Sequence, residues 1–176
     1  MQRVLMLPGF GGGADQPILL RLEDALGRRG LSGLRASLSR GRPSAALEEE
    51  VRQARILRHG DATISGYAGR SFGGRVLARL ALDEPPRALL LLGFPVRSQT
   101  GRRRSDDERV LTALPCPTLI VQGSRDPLGP IRTLERLAAR NPRLELEVLE
   151  GAGHSFGRHE QIAVERAADW LARRLS

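Results

Sequence analysis

A chain of 176 residues with 28 basic side chains, all of them arginine, and a net charge of +8 is long enough for one domain that buries roughly 70% of its unfolded surface. Such a core needs neither disulfide nor metal, and the single cysteine, Cys116, has no partner within the chain. Basic charge alone would suit nucleic acid, but the arginines are scattered and only four Phe, one Tyr and one Trp accompany them, too few for stacking platforms. The absence of lysine reads as codon usage in a GC-rich genome.

In chain order, short apolar runs alternate with amphipathic stretches, the pattern of a parallel sheet covered by helices on both faces. Val4–Leu7 is the first buried strand, and "LPGFGGGAD" follows it as a loop. Ile18, Leu19, Leu22 and Leu26 recur at helical spacing until Gly27 and Gly30. Leu34–Leu38 alternates polar and apolar residues and is expected near a sheet edge. Ser44 is the expected N-cap of a helix over Ala45–Arg58, with glutamates first and arginines last, the order that complements a helix dipole.

Thr63–Tyr67 is the third strand and Phe72–Leu82 the helix after it. Ala88–Leu92 is the fourth strand, apolar throughout, as a central parallel strand is. Thr118–Gln122 and Leu144–Leu149 are the fifth and sixth, with a helix around Ile131, Leu134, Leu137 and Ala138 between them. Val164, Ala167, Ala168, Leu171 and Leu175 form the stripe of a closing helix, on which Trp170 is a core or partner-facing residue. Residues 1–176 read as one domain of about six mostly parallel strands. The longest apolar run, "ALLLLGFPV", is less than half a membrane span, and too few apolar residues precede Pro8 for a signal-peptide core. A soluble, cytoplasmic protein is expected.

The chemistry gathers in three loops. "GYAGRSFGG" joins the third strand to its helix and holds Gly69-x-Ser71-x-Gly73. A serine lifted on so sharp a turn takes a strained backbone, and side chains two residues to either side would collide across it. A serine needs a base, and the base an orienting acid. "VQGSRDPLG" after the fifth strand offers Asp126, and "LEGAGHSFG" after the sixth offers His154. Parallel strands bring all three loops to one sheet edge, in the order serine, acid, histidine. Asp126 taken alone is equally an ordinary Asp-Pro turn residue. Asp106 and Asp107 are rival acids far along a long loop; His59 and His159 are rival bases that read as solvated helix-end residues. Cys116, between Pro115 and Pro117, reads as a small core residue.

The expected oxyanion donors are the N–H of Phe72 and an N–H of the first loop, from Phe10 or Gly11. That loop lacks the spacing of a P-loop or a dinucleotide fingerprint, and no metal or cofactor set is evident. Phe94–Asp107, "FPVRSQTGRRRSDD", carries Arg97 and Arg102–Arg104 near the same edge. Either they attract an anionic substrate or they belong to a solvated, mobile loop.

The elbow "GRSFGGR", the acid loop "VQGSRDPLG" and the histidine loop "GAGHSF" together resemble the α/β-hydrolase superfamily, most of all a compact, lidless group related to dienelactone hydrolases. That group includes testis-expressed proteins and a scaffold subunit of a histone acetyltransferase complex. The resemblance spans Val4 to Leu175. It implies an α/β-hydrolase fold without a lid domain, and a serine hydrolase using Ser71 as nucleophile, Asp126 as orienting acid and His154 as base on a small acyl substrate, without cofactor. Relatives often begin the oxyanion loop with His-Gly; here it begins Pro8-Gly9. Some members of the group serve as interaction modules, so a non-catalytic, protein-binding use of the scaffold is the alternative.

Overall fold

Five consecutive apolar residues have no polar face to turn toward water, so Ala88–Leu92 must be covered on both sides, and all five are inaccessible to solvent. In the computed structural model, which describes residues 1–39 and 41–176, this strand lies inside a six-stranded, wholly parallel sheet. The strands are β1 (Arg3–Leu7), β2 (Ser32–Arg35), β3 (Ile64–Arg70), β4 (Ala88–Leu92), β5 (Thr118–Gly123) and β6 (Leu144–Leu149). Their spatial order is β2-β1-β3-β4-β5-β6. The second strand is an edge, as its alternation predicts, although it pairs at Ser32–Arg35 rather than at Leu34–Leu38.

Helices α1 (Pro17–Gly27), α2 (Glu48–His59), α3 (Phe72–Asp83), α4 (Ser105–Ala113), α5 (Ile131–Ala138) and α6 (Glu160–Leu175) connect the strands and divide between the two faces. Alternate side chains of each strand point to opposite faces. Val4, Met6, Leu90 and Val121 therefore pack with α1 and α6 in one core, while Leu5, Leu7, Leu91 and Ile120 pack with α3 and α5 in the other. Each fully buried leucine stabilises the fold by roughly 1.5–3 kcal/mol. Trp170 belongs to the first core and donates from Nε1 to Glu145 at 3.1 Å. Cys116 is buried in the second, and burial pushes its thiol up from the ordinary value.

Two expectations change. The second helix starts at Glu48 instead of Ala45, because Leu47, with φ 56°, turns the chain left-handed just before it and buries its own side chain. Ser44 still touches the start: its Oγ accepts the Glu48 N–H at 3.4 Å. Asp106 and Asp107 lie in no loop: they occupy the first turn of α4, where carboxylates meet the positive end of the helix dipole. The connection from β4 to α4 is short and fastened. Ser98 N–H donates to Arg102 O at 2.8 Å and Arg104 N–H to Val96 O at 2.8 Å. Val96 and Arg97 N–H both donate to Leu128 O, in the loop after β5. Among the described residues, no helix is long and apolar enough to cross a membrane.

Candidate active site

Ser71 sits between β3 and α3 at φ 45° and ψ −106°, a backbone conformation that L-residues rarely adopt. The surroundings hold it there. Ser71 N–H donates to Leu92 O at 2.9 Å, and Gly73 N–H donates to Pro8 O at 2.9 Å. A Cβ at Gly69 would stand 2.3 Å from Gly74 Cα, across the elbow as expected. A Cβ at Gly73 would instead meet Leu7 O at 2.4 Å and Pro8 O at 2.6 Å. The two glycines thus do different things: the first lets α3 fold back on β3, and the second lets α3 approach β1.

The turn after β5 delivers Asp126, 3% exposed, and the turn after β6 delivers His154, half-buried. Ser71 Oγ lies 3.0 Å from His154 Nε2, and His154 Nδ1 lies 2.7 Å from Asp126 Oδ2. With the imidazole protonated on Nδ1, Oγ–H donates to Nε2 and Nδ1–H donates to the carboxylate. Three residues separated by 55 and 28 positions in the chain make one continuous hydrogen-bonded series. Along it a proton can pass from hydroxyl to imidazole while the carboxylate steadies the ring.

The acid is held at both oxygens. Leu128 N–H donates to Oδ1 at 2.9 Å, and Gln122 Nε2 donates to Oδ2 at 2.7 Å. Gln122 is itself anchored by the Phe94 N–H, which donates to its Oε1 at 2.8 Å. The rival residues are engaged elsewhere. Asp107 pairs with Arg75 and Arg79, and Asp106 with Arg109. His59 pairs with Glu84 at 3.0 Å, and His159 Nε2 accepts from Arg158 Nε at 3.4 Å.

An alpha/beta hydrolase domain model matches residues 1–173, nearly the whole chain. The chain belongs to the alpha/beta hydrolase family. Its fold is similar to that of Est1E from Butyrivibrio proteoclasticus, with a TM-score of 0.81 at 16% identity over 99% of this chain and 88% of that one. It is similar also to a dienelactone hydrolase from Anabaena variabilis, with a TM-score of 0.75 at 21% identity over 99% and 85%. An esterase of Pyrococcus furiosus gives 0.78 at 17% identity over 99% and 84%. No curated protein sequence matches the chain.

In this alpha/beta hydrolase, the floor beneath the histidine is an arginine that the motif hides at its variable position. Arg70, 7% exposed, donates from Nη1 to Leu92 O at 3.0 Å and from Nη2 to His154 O, and its guanidinium lies over the Phe156 ring at 5.5 Å. Burial pulls the guanidinium below its ordinary value, and Asp126 and Glu160 offset part of that. Arg70 therefore ties the histidine turn to the end of β4. Gly123 contributes by its lack of a side chain: a Cβ there would stand 2.3 Å from Ala152 O, pushing the same turn away.

Above Ser71 opens a cleft of about 830 Å³, lined by Gly9, Phe10, Phe72 and His154 among others. Phe72 is the first residue of α3, one of the four whose N–H has no acceptor within the helix. In the loop after β1, Gly9 N–H donates to Gln16 Oε1 at 2.9 Å and Gly12 N–H to Gly9 O at 3.0 Å. Phe10 lines the cleft with Ser71, whereas Gly11 lines a neighbouring cavity that Ser71 does not reach. Phe10 is 73% exposed and meets the Phe72 ring edge-on at 5.6 Å, an apolar wall beside the serine. Arg97 and Arg102–Arg104 also line the cleft, on the fastened β4–α4 connection rather than on a free loop.

Proposed function

We propose that this hydrolase cleaves an ester or related acyl bond by serine catalysis, through an acyl-enzyme. The observation that carries the reading is the unbroken series from Ser71 Oγ to His154 to Asp126, at 3.0 and 2.7 Å. His154 Nε2 takes the Ser71 proton as Oγ bonds to the carbonyl carbon. The same proton then goes to the leaving oxygen as the ester bond breaks. Water, deprotonated by Nε2, hydrolyses the acyl-serine and returns the proton to Oγ. Asp126 keeps the imidazole oriented and balances its charge while it is protonated.

General base catalysis of this kind contributes roughly 10²–10⁴-fold. The oxyanion falls to Phe72 N–H, at the positive end of α3, and Phe10 N–H is the better second donor than Gly11 because Phe10 shares the cleft with Ser71. Each such donor contributes roughly 10²–10³-fold. A short connection after β4 leaves the cleft open, which suits small acyl groups placed against Phe10 and Phe72.

A fluorophosphonate probe tests the reading directly. Wild type labels at one serine, mapped to Ser71 by peptide mass, and Ser71→Ala neither labels nor turns over nitrophenyl esters. Wild-type protein that is folded yet inert to the probe, or a Ser71→Ala protein with wild-type esterase rate, refutes it.

A further inference from the structure

Beyond Arg70, six arginines line the cleft, and two of them, Arg75 and Arg79, bind one carboxylate. Arg75 Nε donates to both oxygens of Asp107, at 3.1 and 3.0 Å, and Arg79 Nη1 donates to Oδ1 at 2.6 Å. Asp107 is 1% exposed. Arg104 completes the group: its Nε is buried and finds no acceptor among the described residues. Burial, first, and then the like charges of Arg75 and Arg79 press its guanidinium below the ordinary value, with Asp107 pulling the other way.

Three guanidinium groups against one carboxylate leave an excess of two positive charges at the cleft wall. The neighbouring acid does not supply the balance, since Asp106 is bound to Arg109. An ion pair whose only purpose was to tie α3 to α4 would be complete with Arg75, Arg79 and Asp107. Adding Arg104 to it works against stability, because a buried donor without an acceptor and a third like charge are both unfavourable. Each guanidinium also has five N–H donors, many more than Asp107 can accept. An incoming anion offsets the like charges and takes up spare donors where the three side chains line the cleft.

We infer that Arg75, Arg79 and Arg104 form a carboxylate-binding subsite, so that the substrate is an ester carrying a second, ionised carboxyl group. The inference rests on the serine-hydrolase reading for the reacting end. Arg75 and Arg79 lie four and eight residues beyond Ser71, one and two turns of α3 away, or about 6 and 12 Å along the axis. Their side chains shorten that gap, so a short chain joins the reacting carbonyl to the carboxylate. The planar fork of a guanidinium accommodates both carboxylate oxygens at once. A neutral acyl chain in the same place leaves the cluster unpaired.

The test compares nitrophenyl hydrogen glutarate with nitrophenyl pentanoate, an anionic and a neutral ester of equal chain length. Wild type favours the anionic ester by about tenfold to a hundredfold in kcat/KM, the range of a charged hydrogen bond. Arg104→Met lowers that preference about tenfold, mainly through KM, and Arg104→Lys restores part of it. Arg104 is the position to change because its side chain holds no other group in place, so the Arg75–Asp107–Arg79 bridge survives. A wild-type preference near one, or a preference untouched in Arg104→Met, overturns the subsite.

Calorimetric titration of the Ser71→Ala protein with glutarate gives a readout that needs no turnover. Saturable binding is expected, weakened about tenfold by Arg104→Met. No glutarate binding, or tighter binding of inorganic phosphate than of glutarate, overturns the carboxylate subsite even if neutral esters are cleaved. Glutarate binding with neither ester cleaved leaves the subsite standing and overturns the hydrolase reading instead.

Discussion

Replacing Gly73 by alanine tests whether the elbow depends on the approach of α3 to β1. The added Cβ would stand 2.4 Å from Leu7 O, 2.6 Å from Leu7 C and 2.6 Å from Pro8 O. All three are main-chain atoms of β1 and its exit, so no side chain can rotate away. Restoring an ordinary carbon–oxygen contact of about 3.2 Å requires roughly 0.8 Å of separation, which also stretches the 2.9 Å bond from Gly73 N–H to Pro8 O. Overpacking costs up to about 3 kcal/mol and the lost hydrogen bond about 1 kcal/mol, while alanine's better helix propensity returns about 1 kcal/mol. The net expectation is about 3 kcal/mol of destabilisation. A displacement near 1 Å at the serine carries about a 10²-fold loss of reactivity. Urea unfolding followed by Trp170 fluorescence reads the first quantity, and the rate of fluorophosphonate labelling reads the second. Gly153→Ala is the matched comparison: nothing lies within 4 Å of its added Cβ, so stability should stay within about 0.5 kcal/mol or rise slightly. A Gly73→Ala protein within 1 kcal/mol of wild type would refute the steric account.

Two further outcomes follow from burial. Arg70→Met keeps the length of the side chain but strands the carbonyls of Leu92 and His154; against the relief of unburying a cation, a net loss of about 2 kcal/mol is expected. Its specific signature is a labelling rate that falls by more than tenfold in protein still fully folded, and unchanged labelling would show that Arg70 does not position His154. Cys116 is buried, with its thiol pushed up by burial, so a disulfide reagent should titrate no thiol in native protein and one in denaturant. Rapid reaction of the native protein would place Cys116 outside the core.

Strand positions were legible because burial writes itself into the sequence: Ala88–Leu92, covered on both faces, is an unbroken apolar run, and Leu144–Leu149, at the sheet edge, alternates apolar residues with Glu145 and Glu147; both have the bounds their composition predicts. The convergence of Ser71, Asp126 and His154 was legible for a topological reason, since a parallel sheet puts every strand's exit on one edge. The supporting residues were not. Arg70 occupies the variable position of its motif, and nothing in one sequence distinguishes a buried arginine from 27 others. Gln122 reads as the polar end of an apolar strand, and its bonds to Asp126 and to Phe94 N–H depend on neighbours that only the fold supplies. Helix α4 was hidden because "RRRSDDERV" carries so much charge. Its buried side contains Asp107 and Glu108, whose burial depends on arginines brought from α3 and from the preceding connection.

That last point bears on how an arginine-rich composition should be understood. Codon usage accounts for arginine standing where another protein has lysine, but it acts on every surface alike. The arrangement here is uneven. Around the outside, cations meet at least as many acids, as Arg28 and Arg29 meet Asp24, Glu165 and Asp169, or Arg174 meets Glu145; exposed pairs of this kind contribute about 0–1 kcal/mol. On the cleft, seven arginines face two aspartates, with Glu108 pairing Arg103 besides, an excess of four within a chain whose total excess is eight. Low-dielectric walls focus such a field, and Arg75 and Asp107 are nearly inaccessible to solvent. Mutational drift toward arginine can fill a surface with cations, but it does not bury a guanidinium beside two others with a single carboxylate between them. Concentration of the unbalanced charge beside Ser71, rather than its amount, is what ties the composition of this chain to an anionic ligand.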